Sequence, residues 1–193
     1  YLDKSSDGGK TWGVDKVIAI QPGGWTFDVP AIGRCNGMPI IDSDSSNGSH
    51  KGTMYINWAD QRNGVEDTDI WLAKSTDNGE SWSDPIRVND DAPGKHQFFS
   101  WMDVDQSTGY IYIVFYDRRA YDDAQTDVYL AHSKDGGQTF ANQKISEKPF
   151  TPNKNVFFGD YNDISAVNGI IRPVWTVANG GALSVHTALI EIK

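Results

Sequence analysis

Cysteine is nearly absent from this chain: Cys35 stands alone, so no internal disulfide framework exists and the core must hold by packing. A lone cysteine of this kind is read as a small buried residue. No apolar run approaches the roughly 20 residues of a membrane-spanning helix. Basic residues are outnumbered, 17 against 26 acidic, and the net charge of −9 argues against nucleic acid or an anionic membrane as partner. The histidines, His50, His96, His132 and His186, are scattered and never take the His-Glu-x-x-His spacing of a zinc helix, so no metal site is expected. Every Gly-Gly pair sits among turn residues, which excludes a Gly-rich phosphate loop, and no cofactor is called for. No segment of useful length carries a helical period with caps.

What the chain has instead is 12% aromatic residues, 19 glycines and one phrase written three times. SSDGGKTW (5–12), STDNGESW (75–82) and SKDGGQTF (133–140) all read Ser-x-Asp-x-Gly-x-(Ser/Thr)-(Trp/Phe). A fixed phrase at intervals near sixty residues marks an internal repeat. Its chemistry is that of a self-bonded turn. Asp7, Asp77 and Asp135 can accept hydrogen bonds from backbone N–H groups just ahead of them. The glycine two residues on supplies a position where positive φ costs little, and the closing aromatic can fold back onto a sheet.

Aligning on the phrase exposes more matched text. MYINWADQR (54–62) pairs with IYIVFYDRR (111–119) and, in degraded form, RPVWTVANG (172–180). DTDIWLAKS (67–75) pairs with QTDVYLAHS (125–133). Alternating β-branched and aromatic residues bounded by Gly, Asn and Asp predict strands. Each unit reads as four short strands, a to d: near 38–44, 53–59, 69–75 and 85–89 in one, and near 99–105, 110–116, 127–133 and 142–146 in the next. A last unit has a near 161–167, b near 170–176 and c near 183–192, without d, and residues 1–21 supply the c–d turn and outer strand of an earlier unit. The fold class expected is therefore all-β, a β-propeller of four-stranded antiparallel blades with about three present. The partial propeller runs over 1–193, with blades at 36–90, 97–147 and 158–193.

The repeated phrase resembles the Asp-box, or BNR repeat, of sialidase-like β-propellers. The resemblance implies a six-bladed parent whose C-terminal half is this chain, a secreted or periplasmic protein, and a glycoside hydrolase acting on a terminal acidic sugar such as sialic acid. The alternative within the same resemblance is a non-catalytic propeller that binds glycans or proteins. Because the chain begins inside a blade without Met, it is expected to be a processed or truncated piece. Its open sheet edges are expected to be covered by the missing half or by a second copy.

Strand order places the repeated phrases, all in c–d turns, on one rim. The b–c loops and the starts of the a strands lie on the other, which gathers Arg34, Asp60, Arg62, Glu66, His96, Asp117, Arg118, Arg119, Asp160 and Tyr161. A guanidinium fork binds a carboxylate bidentately, and Arg34, Arg62 and Arg119, with Arg118 an alternative, are candidate substrate-carboxylate ligands, Asp60 and Asp117 joining them as substrate-binding candidates. The same residues form repeat-equivalent Asp-x-Arg pairs, which also reads as bracing of adjacent loops. Phe158-Gly159-Asp160-Tyr161, at the start of the last inner strand, resembles the sialidase segment that carries the nucleophilic tyrosine. That resemblance makes Tyr161 the candidate nucleophile, with Asp160 beside it and Glu66 as its base, since a neutral phenol avoids repulsion by the substrate's carboxylate. The Arg-Ile-Pro phrase of that family is absent here, so the parts held by its early blades are not in this chain. Asp42-Ser43-Asp44-Ser45-Ser46-Asn47-Gly48 loosely suggests a calcium loop but lacks the closing Glu; it reads as a solvated turn, at most an incidental Ca²⁺ site.

Overall fold

The computed structural model describes residues 1–192, and these form fourteen strands and no helix. A small hairpin of β1 (Thr26–Phe27) and β2 (Cys35–Asn36) precedes three antiparallel sheets. The first sheet runs β3 (Ile40–Ser43), β4 (Met54–Asp60), β5 (Asp69–Ser75), β6 (Ile86–Arg87), and the second β7 (Gln97–Asp105), β8 (Tyr110–Asp117), β9 (Asp127–Ser133), β10 (Ala141–Lys144). In the third, β11 (Asp163–Val167) pairs with β12 (Ile170–Asn179), and β12 pairs with both β13 (Ala182–Thr187) and β14 (Ile190–Glu191). The register across β12 is the same for these last two, Val174 facing Thr187 and Ile171 facing Ile190, so they are one strand interrupted. The interruption falls opposite Pro173, which has no N–H for the ladder. The outer strand expected in residues 1–21 is reduced to a single bridge, Leu2 to Lys16, and the β1–β2 hairpin was not anticipated.

Burial follows from position in the stack. The middle sheet has neighbours on both faces, so β8 is apolar on both: Ile111, Tyr112, Ile113, Val114, Phe115 and Tyr116 are all buried. Each such side chain contributes about 1.5–3 kcal/mol of transfer free energy. The third sheet has a neighbour on one face only: β11 alternates exposed and buried, and β13 is exposed throughout.

Repeated polar latches hold the inner strands together. Asp42 on β3 accepts from the backbone N–H of Val104 on β7 at 2.8 Å, and Asp103 on β7 accepts from Ala166 on β11 at 2.5 Å. Farther up, the Tyr116 hydroxyl donates to the Thr176 carbonyl (2.8 Å) and accepts from the Thr176 N–H (2.9 Å), pinning the second sheet to the third. The stretch 42–48 ends β3 and turns toward β4, and in the turn Asp44 caps the N–H of Ser46 and Ser46 that of Gly48.

The three octapeptides form one loop built three times. In each, the Ser hydroxyl donates to the Asp at 2.7–2.9 Å, and the Asp accepts from the backbone N–H of Thr11, Ser81 or Thr139 at 2.9–3.0 Å. The same Thr or Ser hydroxyl donates to the second carboxylate oxygen. Gly79 and Gly137 adopt φ of +80° and +72°, and a Cβ there would press on Leu2 and on Leu72 of neighbouring elements. The loops therefore key adjacent sheets together. Trp82 and Phe140 fold back onto apolar clusters, whereas Trp12 is 63% exposed.

Candidate functional site

The b–c corners and the starts of the inner strands share the rim opposite the octapeptides, and the structure sorts their polar residues into two kinds. Asp60 and Arg62 are committed to each other. Arg62 donates to Asp60 from Nε (2.9 Å) and Nη2 (2.6 Å), while Asp60, wholly buried, also accepts from Trp58 Nε1 at 2.7 Å. The Arg62 guanidinium lies over the Trp71 ring, 4.3 Å from its centroid. Asp117 and Arg119 repeat the arrangement: Nε to Asp117 at 2.9 Å, Nη2 at 2.8 Å, and the guanidinium 4.2 Å from the Tyr129 centroid. Arg119 also reaches Asp90 and Asn142. Burial alone would pull its pKa down, but the Asp117 carboxylate raises it and keeps it charged. These four candidate substrate ligands are engaged as braces of the corners, and they do not converge with Arg34 on one open point.

Arg34, Asp160 and Tyr161 do come together. Arg34 Nε is 3.0 Å from Asp160, with the arginine side chain 59% exposed. Asn36 Nδ2 reaches both the carbonyl (3.3 Å) and the carboxylate (3.4 Å) of Asp160. Tyr161, 63% exposed, lies just before β11 with its ring 5.7 Å from that of Trp101. A β-bulge between Phe98 and Trp101 prepares this position: Phe99 takes φ of +51°, a costly conformation for a bulky side chain, and Asn162 Nδ2 holds its carbonyl at 2.7 Å. Bulges of this kind re-aim side chains beside functional positions. The crevice that Asp160 and Tyr161 themselves line with Asn36 and Phe99 is too tight for a water molecule, whereas Arg34 also lines a cavity of about 240 Å³ beside Phe157, which shares Lys154 and Val156 with a cavity of about 610 Å³ beside Pro152 and Gly180.

Glu66 lies elsewhere. Its carboxylate is 3.9 Å from His96 Nε2 and 83% exposed, and no hydrogen bond joins it to Tyr161 among the described residues. The proposed base therefore does not meet the proposed nucleophile here, because Glu66 rides on the b–c corner of the first sheet while Tyr161 precedes the inner strand of the third. Arg118 is the remaining candidate guanidinium, and it lies over the Phe98 ring at 5.2 Å from its centroid. It is 2% exposed, donates to Thr126 Oγ1 (3.0 Å) and to the Pro30 carbonyl (2.8 Å), and makes no ion pair among the described residues. Burial pulls its pKa down to about 10. Beside it His96 is buried, its pKa lowered by burial and by the Arg118 charge. Cys35 is buried, and burial pushes its thiol well above the usual range. Among the described residues no group of three or more His, Cys, Asp or Glu is placed to hold a metal ion.

Sequence reasoning missed Trp101 as the partner of Tyr161 and the segment 28–34 as a strap across this rim. The first could be found in SWMDVD as an aromatic on an inner strand; the second carries no local signal.

No protein-family model and no curated protein matches the chain. Solved structures do match in fold. A Hadza microbial sialidase aligns with a TM-score of 0.60 at 18% identity over 98% of this chain and 39% of its own. An α-L-arabinanase from Penicillium chrysogenum, complexed with arabinobiose, gives 0.60 at 17% over 97% and 53%. An α-L-arabinofuranosidase from Fusarium graminearum gives 0.59 at 17%, with the same coverage. The chain thus spans about half the length of these proteins or less, and at such identities the likeness establishes the fold, a β-propeller of the kind found in glycoside hydrolases.

Proposed function

We propose that the chain is part of a glycoside hydrolase-like propeller that takes carbohydrate on the rim bearing Tyr161. The observation that carries this reading is the cluster of Tyr161, Trp101, Asp160 and Arg34 at the start of the inner strands, where an exposed phenol ring beside a half-buried indole, a carboxylate and an accessible guanidinium come together, Arg34 also lining a cavity of about 240 Å³. Aromatic faces pack on the apolar faces of sugar rings, and the charged pair can exchange hydrogen bonds with hydroxyls. In the finer form of the reading the sugar is acidic, Arg34 takes its carboxylate and Tyr161 attacks the anomeric carbon. A base for the phenol then has to come from outside the described residues or from a rearranged corner loop. The repeated octapeptide, read as an Asp-box, supports this form. The solved structures of similar fold include both a sialidase and an arabinanase, so a neutral pentoside competes with an acidic sugar.

The test is hydrolysis by the full-length parent of a fluorogenic sialoside against a fluorogenic arabinoside, in wild type and Tyr161→Phe. Loss of turnover with unchanged thermal stability supports the nucleophile. Undiminished turnover removes it. A second reading, a glycan-binding propeller without turnover, is favoured by one observation: Tyr161 has no carboxylate partner among the described residues. Saturable glycan binding by the parent with no hydrolysis of either substrate would select it. In both readings the exposed β13 edge, with Val185 and Leu189 open beside it, is covered by the rest of a longer protein or by a second copy. A stable soluble monomer of this chain in light scattering would oppose that.

A further inference from the structure

The dipeptide Asn-Gly occurs six times, beginning at Asn36, Asn47, Asn63, Asn78, Asn168 and Asn179. It is open to an uncatalysed reaction in which the glycine backbone nitrogen attacks the side-chain carbonyl carbon of the asparagine. Glycine permits the approach because it has no Cβ to block it and moves freely in φ and ψ. The attack needs a glycine N–H free of other bonds and an asparagine amide free to turn toward it. In five of the six places the fold has spent that N–H. Gly37 donates to the Trp25 carbonyl (3.2 Å) and Gly64 to the Gln61 carbonyl (3.1 Å). Gly48 donates to Ser46 Oγ (2.9 Å), Gly79 to Ser75 Oγ (2.8 Å) and Gly169 to Asp105 Oδ2 (2.7 Å). Two of the asparagine amides are tied as well, Asn36 to Asp160 and Asn63 to Asp69.

Asn179 differs on each count. It ends β12 and pairs with Ala182 across the two-residue turn Gly180-Gly181. Both glycines take positive φ, +56° and +98°, the conformation of a type I′ hairpin turn. In so short a turn the first glycine's N–H lies outside the ladder, and Gly180 N has no acceptor among the described residues. The Asn179 side chain likewise makes no hydrogen bond among the described residues, and positions 179–181 are all exposed. A Cβ built at Gly180 would meet nothing, so no neighbouring element packs on the tip. The tip belongs to the b–c rim, where Ala178, Gly180, Gly181 and Lys154 line the cavity of about 610 Å³.

We propose that Asn179 is the deamidation site of this chain, and that its reaction adds a carboxylate at the edge of this cavity. The Gly180 nitrogen bonds to Asn179 Cγ and gives its proton to solvent base, while the Cγ–Nδ2 bond breaks and Nδ2 leaves as ammonia. Water then opens the resulting succinimide at either carbonyl, leaving an aspartyl or an isoaspartyl residue at position 179. One water is consumed, one ammonia is released and nothing is oxidised or reduced. The equivalent strands of the first two sheets end in Asp60 and Asp117, both buried and paired with arginine. The new carboxylate would instead stand exposed, with Lys154 as the cation of the adjoining cavity.

The test is a time course of the folded full chain in mildly alkaline buffer, beside the same course in urea. Samples are digested at intervals, and mass spectrometry with fragmentation locates the unit mass increase at each Asn-Gly pair. In the folded chain position 179 is expected to react about tenfold faster than any of the other five, the factor that one protecting hydrogen bond supplies. In urea, where those bonds are lost, the six rates are expected to draw together. Gly180→Ala, whose Cβ meets no neighbour, is expected to fold and to slow the reaction at Asn179 severalfold. An equal or faster reaction at another Asn-Gly pair of the folded chain, an unreactive Asn179, an unchanged spread of rates in urea, or an unchanged rate in Gly180→Ala would each overturn the proposal. The wild-type course decides even if the variant fails to fold.

Discussion

The two rims of this molecule are built on opposite principles. On the octapeptide rim, three loops repeat the same hydrogen bonds to within a few tenths of an ångström, and each Asp is consumed by its own loop. On the opposite rim the repeats diverge: Gln61 becomes Arg118, and Tyr161 stands exposed before the last inner strand. A feature that recurs with identical partners serves the scaffold, because every sheet needs it. A feature that departs from its repeat while leaving donors or aromatic surface open has no scaffold reason to be there, and that is where binding is to be sought.

The largest effect that would challenge this division is on the braces. Asp117→Ala leaves Arg119 without its main acceptor at a buried corner and should cost about 3–5 kcal/mol in urea unfolding. A loss below about 1 kcal/mol would return Asp117 to the list of candidate ligands. Next comes Asp135→Ala, which removes the acceptor of four loop bonds and should cost about 1–2 kcal/mol, by analogy with loss of a helix cap. Asp7→Ala should have less effect on global unfolding, because a Cβ at Gly9 would meet only its own loop's Trp12 whereas one at Gly79 or Gly137 would press on other elements; equal losses would show that the loops act only on themselves.

Asp103 provides a pH test of the inner latches. Burial, and then the nearby Asp42 carboxylate, raise its pKa from 3.8 to about 6. The folded protein therefore keeps this proton to a higher pH than the unfolded chain. The associated stability is complete below about pH 4 and is lost as pH rises through about 6. Asp103→Asn, which can still accept from Ala166 and can donate to Asp42, should flatten that decline. Since the group is half-exposed, the gain at pH 7.5 is about 1–2 kcal/mol after allowance for screening. A pH profile that keeps its slope in the variant would assign the decline to other groups. The smallest effect on stability is expected at Tyr161→Phe, within about 0.5 kcal/mol for an exposed phenol; a large loss would make Tyr161 a structural residue.

Strand positions were legible because alternation and turn residues are local, and Ile40–Ser43, Met54–Asp60 and Asp127–Ser133 fall where the pattern put them. The β1–β2 hairpin was not, since its strands are two residues each and are placed by burying Phe27 and Cys35 in the shared core. At the candidate site the sequence brought Arg34, Asp160 and Tyr161 to one rim. It had no means of telling Arg62 and Arg119, each paired with a carboxylate, from Arg118, held by Thr126, Pro30 and the Phe98 ring, because all three follow the same kind of strand and differ only in what lies across from them.

By itself the sequence determined the all-β class, the repeat and its period, the strand order within each sheet and the rim on which each loop falls, all consequences of chirality, pleat and turn chemistry acting over a few residues. Only the tertiary structure decided which charges are spent. Whether an arginine is braced by a carboxylate depends on what the fold sets against it: Asp117 and Asp90 for Arg119, but Thr126, the strap carbonyl of Pro30 and the Phe98 ring for Arg118. The octapeptides announce the scaffold; the far rim is where binding is to be tested.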